Sequence, residues 1–124
     1  MKKLAIPLLS LILVTSCSKS DSYSIRALNA DSENESWLLH GRTYDESRFS
    51  PLNDINDSNV KELGLSWSFE TGTNRGHETT PIVVDGMMFI TAPWSVVFAL
   101  DAKTGEQIWS FDPEADKAWA RNAC

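Results

Sequence analysis

The length and composition of the chain are those of one ordinary globular domain: 124 residues, 42% of them hydrophobic and 23% charged. It carries 17 acidic against 11 basic residues, for a net charge of −6. An acidic chain without a basic patch argues against nucleic acid as a partner. Five tryptophans are many for this length, and each brings a large apolar surface with one N–H that needs a hydrogen-bond partner.

The first 16 residues have the pattern of an export signal. Two lysines precede an apolar run over residues 4–14, which is too short to span a bilayer comfortably. The run ends in LVTSC, which resembles a bacterial lipobox, in which Cys17 would be lipidated and become the new N-terminus. The alternative is an ordinary secretory signal with an incidental cysteine. Because Ser18 follows instead of aspartate, the resemblance points to a periplasmic protein anchored in the outer membrane as a lipoprotein.

Residues 17–36 are rich in Ser, Asp, Asn and Glu without apolar periodicity, which predicts a flexible tether. The folded part is expected to begin at Trp37 and to run to Cys124. Within it, residues 55–63 suit a single helical turn with Asp57 or Ser58 as N-cap. Residues 65–69, LSWSF, alternate apolar and polar side chains and predict a strand.

Residues 80–112 have strand patterning throughout. Four short apolar segments, 81–84, 87–91, 96–100 and 107–111, are separated by turn signals, of which Asp85-Gly86 is a strong hairpin turn. No amphipathic segment is long enough to be a crossover helix. The pattern predicts an all-β fold with a four-stranded antiparallel meander, which is one blade of a β-propeller.

The link between the third and fourth predicted strands reads ALDAKTGEQIW. Gly105 supplies the positive φ that a tight turn needs, and Asp101 and Thr104 are expected to hydrogen-bond the turn backbone. Trp109 is flat enough to slot between one blade and the next, where Ala99 leaves it room. The spacing A-x-D-x-x-T-G-x-x-x-W resembles the tryptophan-docking motif of quinoprotein propellers. The alternative is an isolated hairpin with a core tryptophan.

The sequence LSWSFETG at residues 65–72 parallels QIWSFDPE at residues 107–114. We therefore expect residues 65–69 to be the fourth strand of another blade, with its partner strands absent from this chain. One blade and one strand cannot close a propeller ring. The chain is accordingly expected to be a truncated part of a longer propeller.

From Trp37 to Cys124 the chain resembles the N-terminal part of the quinoprotein alcohol dehydrogenases, which depend on pyrroloquinoline quinone (PQQ). The matching segments are HGRTYDESRFSPL, INDSNVKELGLSW, RGHETTPIVVDGMMFIT and ALDAKTGEQIWSFDP. The resemblance implies an eight-bladed propeller that oxidises alcohols with PQQ and a Ca²⁺ or lanthanide ion, and passes electrons to a cytochrome c-type acceptor. The family's catalytic base and metal ligands correspond to no residue of this chain.

Two residues correspond to cofactor contacts of that family. Glu78 lies in the RGHETTP segment before the first blade strand, where the family's glutamate contacts PQQ; the alternative is a solvated loop carboxylate. Cys124 corresponds to the first of two adjacent cysteines whose disulfide ring packs on PQQ, and the second would be the next residue. An incidental terminal cysteine is the alternative. His77 and His40 are expected to be structural.

Two other families share parts of this pattern. Propeller lipoproteins of the outer-membrane β-barrel assembly machinery have the same docking motifs without a cofactor, and the lipobox favours them. They lack the RGHE segment and the cysteine at the end. PQQ-dependent sugar dehydrogenases share much of the N-terminal pattern, and the adjacent-cysteine region would distinguish them.

Overall fold

The computed structural model describes residues 20–118, so Cys17 and Cys124 lie outside the described residues. Its elements, in chain order, are helix α1 (Ser20–Leu28), 3₁₀ turns at Ala30–Ser32 and Val60–Glu62, strands β1 (Ile82–Val84) and β2 (Met87–Ala92), a 3₁₀ turn at Pro93–Ser95, and strands β3 (Val96–Asp101) and β4 (Gln107–Phe111). No helix within residues 20–118 is long and apolar enough to cross a bilayer.

The four strands form one antiparallel sheet in the order β1-β2-β3-β4, which confirms the predicted meander. β1 begins just after Pro81, whose ring nitrogen has no hydrogen to donate to the sheet. Beyond that point the Thr79 hydroxyl accepts a hydrogen bond from the Thr91 backbone N–H at 3.3 Å. On its other edge, β1 is extended by a bridge between Val83 and Trp37, with N···O distances of 2.8 and 3.0 Å.

The core of the sheet lies in β3, where Phe98, Ala99 and Leu100 are buried. Successive side chains of a strand point to opposite faces, so Ala99 lies on one face and its two neighbours on the other. Ala99 stands in register between Phe89 and Trp109, and these two rings cover its methyl group. Both faces of the sheet therefore carry apolar side chains, as expected for a sheet packed between two other layers.

Residues 65–69 cover the face that carries Phe98. The ring of Phe69 meets that of Phe98 edge-on, with 5.1 Å between ring centroids. Trp67 lies two residues earlier and contacts the β3–β4 turn from the same segment. No strand is assigned over 65–69, which differs from the predicted extra strand, because no partner strand among the described residues pairs with its backbone.

Residues 20–32, where the composition predicted part of a flexible tether, contain α1 and the 3₁₀ turn that follows it. The Arg26 guanidinium donates to both carboxylate oxygens of Glu33 at 2.6 Å and to both of Asp85 at 2.9 Å. Asp85 belongs to the β1–β2 turn, so Arg26 ties α1 to the sheet. A polar composition hid this helix from sequence analysis, because it is held by ion pairs and not by an apolar stripe.

Acidification is expected to release α1 from the sheet. The hydrogen bonds from Arg26 hold the pKa values of Glu33 and Asp85 below their ordinary range. A carboxyl group whose folded pKa is lowered contributes stability above its ordinary pKa and loses it as the pH falls through the folded value. As the pH falls from 7 to about 3, the hydrogen-exchange protection factors of α1 amides, which correct for the slower intrinsic exchange in acid, should fall more than those of β3 amides. In Arg26→Gln, the protection factors of α1 amides should already be low at pH 7 and nearly independent of pH; protection that still depends on pH as in the wild type would contradict the role of Arg26.

The helical turn predicted within residues 55–63 is present in part, as the 3₁₀ turn at Val60–Glu62. Neither Asp57 nor Ser58 caps it. The turn instead follows Asn59, whose side-chain oxygen accepts from the Asn56 N–H at 2.8 Å and whose amide nitrogen donates to a carbonyl earlier in the loop. These local amide hydrogen bonds shape the loop in place of a capped helix start.

Candidate functional site

The β3–β4 turn has the hydrogen bonds that the docking-motif pattern predicts. The Asp101 carboxylate accepts hydrogen bonds from the backbone N–H groups of Lys103 at 2.9 Å and Thr104 at 2.8 Å. These hydrogen bonds lower the pKa of Asp101, and the one from the Thr104 N–H has the largest effect. The Thr104 hydroxyl accepts from the Glu106 N–H at 3.2 Å. Gly105 has φ +75°, a backbone conformation that side chains with a Cβ rarely adopt.

Trp67 docks on this turn. A Cβ placed on Gly105 would lie 2.5 Å from two atoms of the Trp67 indole, so the ring rests on the bare glycine backbone. The indole N–H donates to the Ala102 carbonyl oxygen at 3.3 Å, which satisfies the ring's one polar group. Sequence analysis paired Trp67 with Trp109 through the repeated WSF but did not place Trp67 on the turn. The bare glycine and the repeated WSF were the available signals.

Trp109 occupies the opposite face of the sheet. It pairs in register with Ala99 and lies 5.9 Å from the Phe89 ring, measured between centroids. The residue is nevertheless 44% exposed, and its β4 neighbours Ile108 and Phe111 are also exposed. Its contact with a following blade stays a prediction.

Glu78 lies at the end of the sheet opposite the docking turn. Because consecutive strands run in opposite directions, the entry to β1, the β2–β3 link and the exit from β4 share one end. The Glu78 side chain is exposed there, and no hydrogen bond or ion pair to it is found within residues 20–118. The residues on either side of Glu78 are anchored. His77 Nε2 and the Thr71 hydroxyl are hydrogen-bonded at 2.9 Å, and the Thr79 hydroxyl accepts a hydrogen bond from the Thr91 N–H in β2.

Trp94, in the β2–β3 link at the same end, was not singled out by sequence analysis. The Arg75 guanidinium carbon lies 5.4 Å and the Lys117 ammonium nitrogen 5.0 Å from the centroid of its ring. Trp94 and Ser95 both have positive φ, +63° and +61°. The indole nitrogen is buried and has no hydrogen-bond partner among residues 20–118. The two cations come from segments distant in sequence, so no local pattern predicts these contacts.

The remaining candidate residues form no further cluster. Within residues 20–118, no three His, Cys, Asp or Glu side chains lie close enough to hold a metal ion. His40 lies 3.2 Å from a Glu46 carboxylate oxygen and 3.1 Å from an Arg48 guanidinium nitrogen, on the surface. The lipidation predicted at Cys17 and the cofactor contact predicted at Cys124 fall outside the described residues.

A four-stranded meander with a tryptophan seated on a glycine of the β3–β4 turn defines the chain as a β-propeller blade of the quinoprotein type. Residues 37–124 match the family described as PQQ, glucose/ethanol/alcohol dehydrogenase, beta-propeller domain. The chain belongs to this family of PQQ-dependent dehydrogenases.

Individual relatives agree with this assignment. The chain is 54% identical over 99 residues to quinohemoprotein alcohol dehydrogenase ADH-IIG of Pseudomonas putida, covering 80% of this chain and 14% of that protein. The solved structure of that dehydrogenase superposes with a TM-score of 0.71 over 74% of this chain and 14% of its own. The 1-butanol dehydrogenase (cytochrome c) of Thauera butanivorans is 51% identical over 71% of this chain and 13% of its own length.

A europium-containing methanol dehydrogenase shares the fold at 36% identity, with a TM-score of 0.65 over 72% of this chain and 16% of its own. The chain therefore spans about one seventh of the length of the relatives it matches.

Proposed function

We propose that this chain is the N-terminal part of a PQQ-dependent alcohol dehydrogenase that oxidises alcohols in the periplasm. The observation that carries the proposal is the anchored segment around Glu78, whose exposed carboxylate lies at the shared end of the blade. The 54% identity to an alcohol dehydrogenase over most of the chain supports the same reaction. The small share of each relative that the chain covers means that the active enzyme would need further blades.

The residues described here fit a contact with PQQ. Glu78 offers two acceptor oxygens that no other described residue engages, and a carboxylate can accept hydrogen bonds from a polar cofactor's N–H or O–H groups. Cys124 would add the first half of the cysteine ring. Bound PQQ supplies the two-electron acceptor chemistry that amino-acid side chains lack. The part of this chain in the reaction is to bind and orient, since it contributes no assigned base.

Partners of the enzyme follow from its relatives. The Thauera relative, 1-butanol dehydrogenase (cytochrome c), supports a primary alcohol as substrate and a c-type cytochrome as electron acceptor. The europium-containing methanol dehydrogenase supports a lanthanide beside PQQ, with Ca²⁺ as the other candidate ion. Either ion would act as a Lewis acid on the cofactor. Its ligands would come from residues outside this chain.

Reconstitution tests this function. The enzyme that contains this sequence should be prepared without cofactor, then loaded with PQQ and either Ca²⁺ or a lanthanide. We expect 1-butanol-dependent reduction of a c-type cytochrome only when PQQ and one of the ions are both present. Glucose serves as the competing substrate. Oxidation of glucose but not of alcohols would favour a sugar dehydrogenase, and absence of any PQQ binding would favour a non-enzymatic propeller lipoprotein.

We also propose that Cys17 carries a lipid that anchors the protein to the outer membrane. The support is the LVTSC sequence after an apolar run. Cys17→Ala should move the protein from the membrane fraction to the soluble periplasmic fraction, and labelling with a radioactive fatty acid should be lost. Ser16→Ala, which leaves the cysteine in place, serves as the control and should stay membrane-bound. A Cys17→Ala variant that remains in the membrane fraction to the same extent would refute the anchor.

A further inference from the structure

The β2–β3 link holds Trp94 in an unfavourable backbone conformation. Two consecutive residues other than glycine, Trp94 and Ser95, have φ values of +63° and +61°. Such conformations persist only where the surrounding structure requires them. The link therefore needs contacts that hold the indole in this position.

Within residues 20–118 the buried indole nitrogen has no hydrogen-bond partner, so a hydrogen bond there does not provide that contact. Two cations lie over the ring: the Arg75 guanidinium carbon is 5.4 Å and the Lys117 ammonium nitrogen 5.0 Å from its centroid. A tryptophan face attracts guanidinium and ammonium groups, and does so more strongly as they lose water. The ring thus contacts two positive charges, one from the segment that precedes β1 and one from the segment that follows β4.

The contact between Arg75 and the Trp94 ring fixes the chain shortly before Glu78. Arg75 precedes Glu78 by three residues, and its side chain lies over the β2–β3 link. Thr79 follows Glu78 and accepts the N–H of Thr91 in β2. The carboxylate is therefore carried by a short segment that is fastened on both sides at the same end of the blade: Arg75 contacts the β2–β3 link, and Thr79 is hydrogen-bonded to β2.

We propose that Trp94 is a positioning residue for Glu78: its ring holds Arg75 and so fixes the segment that presents the carboxylate. The inference rests on the proposed role of Glu78 in binding PQQ, and it adds a residue outside the cofactor-contacting segment. The contact made by Lys117 is separate, since Lys117 follows β4 and bears no part of the Glu78 segment.

The test uses the whole enzyme that contains this sequence, with three variants and a matched control. Trp94→Leu removes the ring, Arg75→Gln removes the cation, and Arg75→Lys restores a cation. Lys117→Gln is the control, because it removes a cation from the same ring without touching the Glu78 segment. The first readout needs no cofactor: hydrogen exchange of the backbone amides of residues 75–80 in the PQQ-free protein.

We expect exchange in residues 75–80 to accelerate about tenfold in Trp94→Leu and Arg75→Gln, to return toward wild type in Arg75→Lys, and to stay unchanged in Lys117→Gln. Exchange of β3 amides should be unaffected in all four. Unchanged exchange of residues 75–80 in Arg75→Gln, a variant that keeps the sheet intact, would overturn the proposal whatever the role of Glu78.

The second readout is PQQ affinity measured in a double-mutant cycle with Glu78→Gln. Arg75→Gln and Trp94→Leu should each weaken PQQ binding about three- to tenfold in the wild-type background, and much less when Glu78 is already Gln. An equal loss in both backgrounds would show that the ring acts on general structure and would overturn the positioning role. If Glu78→Gln alone leaves affinity unchanged, the role of Glu78 fails, and the hydrogen-exchange result still decides whether Trp94 orders the segment.

Discussion

Replacing Gly105 by alanine is expected to destabilise the blade strongly. Its φ of +75° makes any side chain costly, and the new Cβ would lie 2.5 Å from the Trp67 indole. The ring cannot bend away as a flexible chain end would, so docking of residues 65–69 on the sheet should be lost. We expect a loss of about 3 kcal/mol in the free energy of unfolding, as for a disrupted buried aromatic contact.

Gly86→Ala is a matched control for that change. Gly86 has φ +77°, almost the same as Gly105, but a Cβ there meets no atom within 4 Å. The Gly86→Ala variant therefore measures only the free-energy cost of a positive φ at alanine, about 1 kcal/mol. Both variants should be compared by thermal unfolding of the whole enzyme and by Trp67 fluorescence. Equal losses in the two variants would show that the docked indole adds nothing to stability.

The second large effect is expected at Glu78. Glu78→Gln keeps the size of the side chain and removes its charge and one of its acceptor oxygens. A polar group that loses a charged hydrogen-bond partner typically loses about 1.5–3 kcal/mol, so PQQ affinity should fall by roughly one to two orders of magnitude. Titration of PQQ into the cofactor-free wild type and variant measures this directly.

Glu106→Gln provides the control, because Glu106 is an exposed glutamate in the β3–β4 turn, at the other end of the sheet. It should leave PQQ affinity unchanged. Thermal unfolding of the cofactor-free Glu78→Gln protein should also match wild type, since the exposed side chain contributes little packing. Unchanged affinity would make Glu78 a solvated loop carboxylate, and a large loss of stability without cofactor would make it structural.

Local chemistry was enough to predict the sheet. Runs of Val, Ile, Met and Phe separated by Asp85-Gly86 and Thr104-Gly105 specify four short strands, because strand period and turn residues act over a few positions. β4 was predicted with its observed bounds, and the other strands to within one residue at each end. The Asp101 hydrogen bonds are equally local, since donor and acceptor lie within three residues of each other.

The contacts that only the tertiary structure decided join residues far apart in the chain. Arg26 forms an ion pair with Asp85, the Trp67 ring packs on Gly105, and the Trp94 ring contacts the Arg75 guanidinium. No periodicity encodes such pairs, because each depends on how the chain returns to the sheet. α1 was missed for the same reason: the ion pair of Arg26 with Asp85, and not an apolar stripe along the helix, ties it to the sheet.

The sequence by itself determined the strand order, the docking turn and the family, since each is written in short-range patterns and in motifs that span most of the chain. The tertiary structure decided which tryptophan packs on the β3–β4 turn and which one lies exposed. Trp67 is seated on a bare glycine, whereas Trp109 is 44% exposed on the opposite face. The physical reason is that the indole needs both a flat apolar seat and a carbonyl for its N–H, and within residues 20–118 the structure offers both to Trp67.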